Sequence, residues 1–133
     1  MKLLLDTHIW LWSLLEPAKL SRRVRSALAH SDNELWLSPV SVWELLVWCQ
    51  KGRVILDEAP EVWVSRVLRA VPLTEAPLTF EVALESARIA LPHRDPADRF
   101  LAATATVFGL TLVTADEHLL KARGIPLLAN RGA

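Results

Sequence analysis

The sequence predicts an α/β protein in which a mainly parallel sheet is flanked by helices. Short apolar runs alternate with longer segments that have helical patterning. Serine and proline residues stand where helices would begin, and glycines stand where several would end. Crossovers between such strands should be right-handed, and ligands should bind outside the carboxyl ends of the strands.

Each predicted element has a local signal of its own. Pro17 ends the first helix, Ser21 caps the second, and Gly52 suits the end of the third. Pro60 fits the first turn of another helix. In chain order we predict a strand at 3–5, helices beginning at Thr7 and just after Ser21, a strand at 34–37, helices at 41–51 and 60–69, a strand at 71–73, helices at 79–90 and 95–108, a strand at 110–113, a helix at 116–122 and a strand at 126–128.

Composition limits the class of protein. A chain of 133 residues that is 52% hydrophobic fits a single domain, 1–133, with one core. Its 15 basic and 15 acidic residues cancel, which argues against a broad electrostatic grip on nucleic acid. Cys49 is the only cysteine, so we expect no internal disulfide, no multi-cysteine zinc site and a reducing cytoplasm. No apolar run is long enough to predict a membrane span.

Four acidic residues fall at predicted junctions between strands and helices. Asp6 directly follows the first strand, and Glu44 lies early in the helix after the second strand. Asp98 lies in the first turn of a later helix, and Asp116 follows the strand at 110–113. If the sheet is parallel, we expect Asp6, Glu44 and Asp116 to share one edge of it, and Asp98 can join them if its helix begins at that edge.

Such a cluster has an evident use in chemistry. Mg²⁺ and Mn²⁺ are hard cations that prefer oxygen ligands. Carboxylates crowded together raise one another's pKa, and a divalent ion supplies the missing counter-charge. The ion can then activate water and stabilise a phosphodiester in its transition state.

Every one of these acids also has a purely structural interpretation. Asp6 and Asp116 can each cap the helix that follows, and the spacing of Ser41 and Glu44 matches a capping box. In the segment 95–98, Asp95 can act as the N-cap while Asp98 is favoured by the helix dipole. For any single acid this interpretation is the commoner one, but four at one predicted edge are harder to explain in this way.

Other enzyme classes lack their defining motifs. The sequence contains no Walker A motif, no dinucleotide-binding glycine pattern and no serine nucleophile elbow. An aspartyl-phosphate phosphatase would carry a second acid two residues after Asp6, where this chain has His8. We assign no catalytic role to any of the four histidines.

Four segments together resemble the PIN domain and, more narrowly, the VapC-type toxin ribonucleases of type II toxin–antitoxin systems. The resemblance covers nearly the whole chain in order, and it is specific as a combination although each segment alone is weak. The segments are Leu-Leu-Leu-Asp-Thr-His at 3–8, Ser-Pro-Val-Ser-Val-Trp-Glu at 38–44, His-Arg-Asp-Pro-Ala-Asp-Arg-Phe-Leu-Ala-Ala at 93–103 and Leu-Val-Thr-Ala-Asp at 112–116.

This resemblance implies a three-layer α/β/α fold and an endoribonuclease that depends on Mg²⁺ or Mn²⁺. By position, Asp6, Glu44 and Asp98 are similar to the family's first three metal-site acids, and Asp116 is similar to its less uniform fourth. Asp95 competes with Asp98 for the third position, and helix geometry favours Asp98. The resemblance also implies an RNA substrate, a small antitoxin partner and a homodimer.

The residues give some independent support for partners. Of the six tryptophans, Trp10, Trp12, Trp43 and Trp48 belong to two predicted helices, and so small a core cannot easily bury all four. Exposed tryptophans favour protein interfaces, although core filling is about as common for any single one. Basic residues that could contact RNA phosphates, unless they form a solvated face, are Arg22, Arg23, Arg25, Lys51, Arg53, Arg94 and Arg99.

Two alternative functions stay open from sequence alone. The tryptophans and the neutral charge also suit a catalytically silent PIN-like module that binds protein or RNA. A metal-dependent nuclease acting on DNA is the third possibility, although the chain is short for an enzyme that must hold a duplex.

Overall fold

The computed structural model describes residues 1–91 and 95–132. Within this part of the chain, strands and helices alternate as the sequence predicts. The elements are β1 (Lys2–Leu5), α1 (Thr7–Leu15), α2 (Arg22–Ala29), β2 (Glu34–Leu37), α3 (Pro39–Gln50), α4 (Pro60–Ala70), β3 (Thr74–Glu75), α5 (Phe80–Ser86), α6 (Pro96–Phe108), β4 (Thr111–Thr114) and β5 (Leu127–Ala129), with short 3₁₀ turns at Pro17–Lys19 and Leu119–Lys121.

The five strands form one parallel sheet in the order β3-β2-β1-β4-β5. The first strand of the chain is therefore the central strand of the sheet. Leu4 of β1 pairs in register with Trp36 of β2 on one side and with Leu112 of β4 on the other. This arrangement confirms the predicted parallel α/β fold and brings the carboxyl ends of all five strands to one edge.

Alternation along the strands divides the core between the two faces of the sheet. Leu3 and Leu5 of β1 face a cluster that contains side chains of α1, α2, α3 and α4. Leu4, between them, faces the opposite way and packs with Leu112 and with Leu101 of α6. The period of two in a strand requires this division, and it produces the three layers that the resemblance implies.

Several predicted boundaries are wrong. The third helix begins at Pro39 rather than Ser41, because Ser38 is the N-cap and its Oγ accepts from the Val40 N–H at 3.0 Å. Residues 71–73 form no strand; β3 lies at Thr74–Glu75, where exposed residues pair through the backbone alone. The predicted helix at 79–90 is shortened to α5, and that at 116–122 to a single 3₁₀ turn.

The tryptophans divide between the core and the surface. Trp10 and Trp63 are buried and pack against each other with ring centroids 6.0 Å apart. Trp43 is 58% exposed, whereas Trp12 and Trp48 are partly buried and flank the exposed His8 ring. The expectation that the first and third helices cannot bury all their tryptophans is therefore correct, and Trp43 is the clearest surface case.

No helix in the described part of the chain is both long enough and apolar enough to cross a bilayer.

Candidate active site

Asp6 lies buried at the carboxyl end of the central strand. Its Oδ1 accepts a 2.7 Å hydrogen bond from the Thr7 N–H, which makes it the N-cap of α1. Its Oδ2 accepts a 2.6 Å bond from Thr114 Oγ1, at the end of the neighbouring strand β4. Both oxygens are thus held by donors, and the carboxylate is fixed in place between two strands.

Glu44 reaches the same edge from α3. Its Oε1 lies 2.5 Å from Thr7 Oγ1, and that hydroxyl is also 2.8 Å from Ser41 Oγ. The capping-box interpretation of Ser41 and Glu44 is wrong, because Ser38 caps this helix and the Ser41 N–H donates to the Ser38 carbonyl. Glu44 instead contacts the residue that follows Asp6.

Asp98 lies in the first turn of α6 and is only 7% exposed. Its helix begins at Pro96 after Asp95, whose side chain accepts from the Ala97 N–H at 3.0 Å. The two acids of this segment therefore differ as helix geometry predicts. Asp95 is the exposed N-cap, and Asp98 is the buried acid inside the first turn.

Asp116 follows β4 and is partly buried. Its Oδ1 accepts from the backbone N–H groups of His118 at 2.7 Å and Leu119 at 3.4 Å. Its own N–H donates to Thr114 Oγ1 at 3.0 Å. The Thr114 hydroxyl therefore links the carboxylate of Asp6 to the backbone of Asp116.

The pKa values of three acids show that their charges interact. Burial first, and then the negative charges of Asp95, Asp6, Asp116 and Glu44, raise the pKa of Asp98 to about 8. The negative charges of the other three acids that the sequence singles out therefore all act on Asp98.

Glu44 and Asp6 have raised pKa values for a similar reason. Burial raises the pKa of Glu44 to about 7, with the Thr7 hydrogen bond opposing it and the Asp6 and Asp95 charges adding to it. Burial also raises the pKa of Asp6, against the lowering effect of its bonds from Thr114 and Thr7. These carboxyls cannot all be ionised at neutral pH without a nearby positive charge.

The donor set fits a hard divalent cation in its chemistry. It offers carboxylate and hydroxyl oxygens, which Mg²⁺ and Mn²⁺ prefer, and a divalent ion would add positive charge where burial and neighbouring acids raise the pKa values of the carboxyls. Among the residues that the structure describes, no three His, Cys, Asp or Glu side chains already converge around a common point as ligands would. The carboxylates would have to draw together to enclose an ion.

Of the two predicted basic contacts that flank the segment 95–98, only Arg99 lies within the described residues. Arg99 does not face a phosphate site, because its Nε and Nη2 donate to the carbonyls of Ser86 at 3.2 Å and Ile89 at 2.8 Å. It therefore ties α6 to the end of α5. Arg94, like His93, lies outside the described residues.

The sequence interpretation missed the hydroxyl residues of the site. Thr7, Ser41 and Thr114 are all buried; Thr7 and Thr114 bind predicted acids, and Ser41 contacts the Thr7 hydroxyl. Each stands within three residues of one of those acids, which is the signal that could have identified them. The contacts themselves link residues 34 to 108 positions apart, so local patterning does not reveal them.

Comparison with known proteins decides the family. The model of the PIN domain matches residues 3–125. The chain belongs to the PIN-domain family. It is also 35% identical over 119 residues to ribonuclease VapC22 of Mycobacterium tuberculosis, covering 87% of this chain and 88% of that one. This PIN-domain chain is accordingly a relative of the VapC-type ribonucleases, as its four motif segments indicate.

Solved structures agree with the fold. The Rickettsia felis VapBC2 complex bound to a fragment of its promoter DNA matches with a TM-score of 0.71 at 15% identity, over 97% of this chain and 98% of that one. The DNA-bound VapBC complex of Salmonella typhimurium gives a TM-score of 0.70 at 16% identity, with the same coverage. FitAcB of Neisseria gonorrhoeae gives 0.64 at 21% identity, over 96% of this chain and 97% of that one. At these identities the likeness supports the PIN fold.

Proposed function

We propose that this PIN-domain chain is a divalent-metal-dependent endoribonuclease and the toxin of a toxin–antitoxin pair. The observation that carries the proposal is the electrostatic coupling of Asp6, Glu44, Asp98 and Asp116 at the carboxyl edge of the parallel sheet. The kinship with ribonuclease VapC22 supports RNA as the substrate.

The four acids would hold Mg²⁺ or Mn²⁺ through their oxygens. Such an ion, when bound, supplies a Lewis acid that neutralises phosphate charge and makes water a better nucleophile. Asp6 is the anchor of the proposed site, because Thr7 and Thr114 fix both of its oxygens. Glu44, whose pKa lies near neutrality, is suited to orient the attacking water and accept its proton.

The products would be two RNA fragments, formed without a covalent enzyme intermediate. Water rather than a threonine hydroxyl would be the nucleophile, because Thr7 and Thr114 are fully buried beneath the acids that they bind. Asp98 would enter the site from α6 and Asp116 from the segment after β4, so the proposed ligands come from both sides of the central strand.

The relatives support one partner, and the surface of the chain supports another. The structural neighbours are toxin–antitoxin complexes, which supports a small antitoxin as the partner of this chain. We also propose a homodimer, which the exposed Trp43 supports because large aromatic side chains are enriched at protein interfaces.

Asp6→Asn tests the nuclease proposal, with Asp32→Asn as its matched control. Asp32 is an exposed acid that precedes β2, so it lies toward the opposite edge of the sheet from Asp6. RNA and DNA oligonucleotides of the same sequence are incubated with each variant in Mn²⁺ and in EDTA. We expect the wild type and Asp32→Asn to cut RNA only when Mn²⁺ is present. We expect Asp6→Asn to cut neither RNA nor DNA. Metal-independent cleavage that Asp6→Asn retains would reject the proposal.

A catalytically silent PIN-like module is the second candidate. It is favoured by the fact that, in the described part of the chain, no three potential ligands already converge as a bound ion would require. Calorimetric titration with Mn²⁺ separates the two: heat of binding that Asp6→Asn removes supports the nuclease, and no binding at millimolar metal supports the silent module.

A further inference from the structure

Thr7 contacts two of the four acids through two different groups. Its backbone N–H binds Asp6 Oδ1 at 2.7 Å, and its Oγ1 lies 2.5 Å from Glu44 Oε1. Asp6 follows the central strand, whereas Glu44 is on α3. Thr7 thus connects Asp6, at the end of the central strand, to Glu44 on α3.

Ser41 completes this connection. Ser41 and Glu44 are three positions apart on α3, so they lie on the same side of that helix and both face Thr7. The Thr7 hydroxyl carries one proton, and an ionised Glu44 can only accept. When Glu44 is ionised, Thr7 therefore donates to it, and the Ser41 hydroxyl, 2.8 Å away, is left to donate to Thr7 Oγ1.

The contact is not the usual way in which a buried threonine satisfies its hydroxyl. Thr104, which is equally buried, donates to the carbonyl of Phe100 in its own helix at 2.6 Å. Thr106 does the same to Ala102 at 3.0 Å. Thr7 instead reaches across to another helix and contacts the side chain of a proposed ligand.

We propose that Thr7, supported by Ser41, is a positioning residue that holds Glu44 in a fixed place relative to Asp6. The inference rests on the proposed metal-dependent function and adds a specific element to it. Without the Thr7 hydroxyl, Glu44 would lose the hydrogen bond that ties it to the residue after Asp6, and the two acids would have to be ordered when metal binds.

Thr7→Val tests this inference, because it keeps the shape and the backbone N–H and removes only the hydroxyl. Loss of an outer hydrogen-bond partner of a ligand typically costs about 10–100-fold in metal affinity or activity. We expect a loss of that size in calorimetric Mn²⁺ affinity and in kcat for RNA, with KM little changed. Thr7→Ser should restore both, and Thr104→Val, the matched control, should change neither.

A second measurement needs neither metal nor RNA. Unfolding by urea in EDTA of Thr7→Val, Glu44→Leu and the double variant should reveal a favourable coupling between the two residues, because each replacement removes the hydrogen bond. If Thr7→Val does not fold, Ser41→Ala serves in its place. Ser41→Ala should weaken Mn²⁺ binding less than loss of the Thr7 hydroxyl would, because Thr7 keeps its contact with Glu44.

The outcomes separate the inference from the function on which it rests. A wild-type protein that neither binds Mn²⁺ nor cuts RNA rejects the proposed nuclease. An active wild type with Thr7→Val equally active and equally tight for Mn²⁺ rejects the positioning role alone. Absence of coupling in EDTA, or an equal loss in Thr104→Val, also rejects it.

Discussion

Thr114 and Asp6 are 108 positions apart in the chain, yet Thr114 Oγ1 donates a 2.6 Å hydrogen bond to Asp6 Oδ2 across adjacent strands. Both residues are buried, and the bond opposes the rise that burial causes in the pKa of Asp6. Thr114 thus makes a buried negative charge easier to maintain at the centre of the proposed site.

Thr114→Val is therefore expected to destabilise the fold at neutral pH. It leaves a buried carboxylate oxygen without a donor, which costs about 1–3 kcal/mol. It also removes the acceptor of the Asp116 N–H, so the loss should fall toward the upper end of that range. Urea unfolding measures the change, and Thr114→Ser, which retains the hydroxyl, should restore most of the stability. Equal stability of wild type and Thr114→Val would show that the bond contributes nothing.

The metal-free protein should lose stability as pH rises from about 4 to 8. The pKa of Asp98 rises on folding from 3.8 to about 8, and that of Glu44 from 4.5 to about 7. Between those values the folded chain binds more protons than the unfolded chain, so higher pH favours unfolding. Thermal melts in EDTA across this range test the prediction. Asp98→Asn should make the decline shallower, whereas Asp32→Asn should leave its slope unchanged.

Added Mn²⁺ should act in the opposite direction. Metal binding requires ionised carboxylates, so the ion stabilises the folded state more at pH 8 than at pH 6. The rise in melting temperature at a fixed Mn²⁺ concentration is the measurement. Asp6→Asn should greatly reduce the rise at both pH values. A rise that is larger at pH 6 would contradict ligation by these acids.

Trp10 and Trp43 should differ sharply in their effect on stability. Trp10 is buried against Trp63, and its replacement by alanine should cost about 3–5 kcal/mol. Trp43 is 58% exposed, so Trp43→Ala should change the free energy of unfolding of the monomer by no more than about 0.5 kcal/mol. Urea unfolding at low protein concentration, where self-association is minimal, compares the two. Similar losses in both variants would mean that Trp43 is buried in solution.

Arg99→Ala should loosen the end of α5 rather than weaken RNA binding. Arg99 donates to the Ser86 and Ile89 carbonyls, and without it residues 86–91 should exchange amide hydrogens faster. Arg99→Lys should not restore protection, because an ammonium cannot reproduce the planar fork of a guanidinium. A salt-dependent rise in KM for RNA, with unchanged exchange, would instead point to a phosphate contact.

Much of the fold could be predicted because burial leaves a pattern in the sequence. The strands β1, β2 and β4 carry apolar residues. Asp6 stands directly after β1, and Asp116 stands two residues after the end of β4. By contrast, β3 is an exposed two-residue edge strand that pairs through backbone groups, so no apolar pattern marks it. The start of α3 was misplaced because Ser41 also resembles a cap, although Ser38 and Pro39 fit that end better.

The candidate site could be predicted only as a set of acids. Their types and their places after strands follow from local sequence, and the parallel sheet brings them to one edge. The contacts of Thr7 with Glu44 and of Thr114 with Asp6 depend on how α3 and β4 pack against β1. Tertiary packing decides such contacts, and the spacing of residues within one element does not.

The order of strands in the sheet also has a consequence for synthesis. The central strand β1 leaves the ribosome before the other four strands, but β4, which pairs with one side of it and supplies Thr114, follows more than a hundred residues later. A nascent chain that has not yet reached β4 holds Asp6 without its hydroxyl donor and without Asp116 nearby. Translation itself thus delays assembly of the proposed cleavage centre until nearly all of the domain has emerged, and interrupted products lack it.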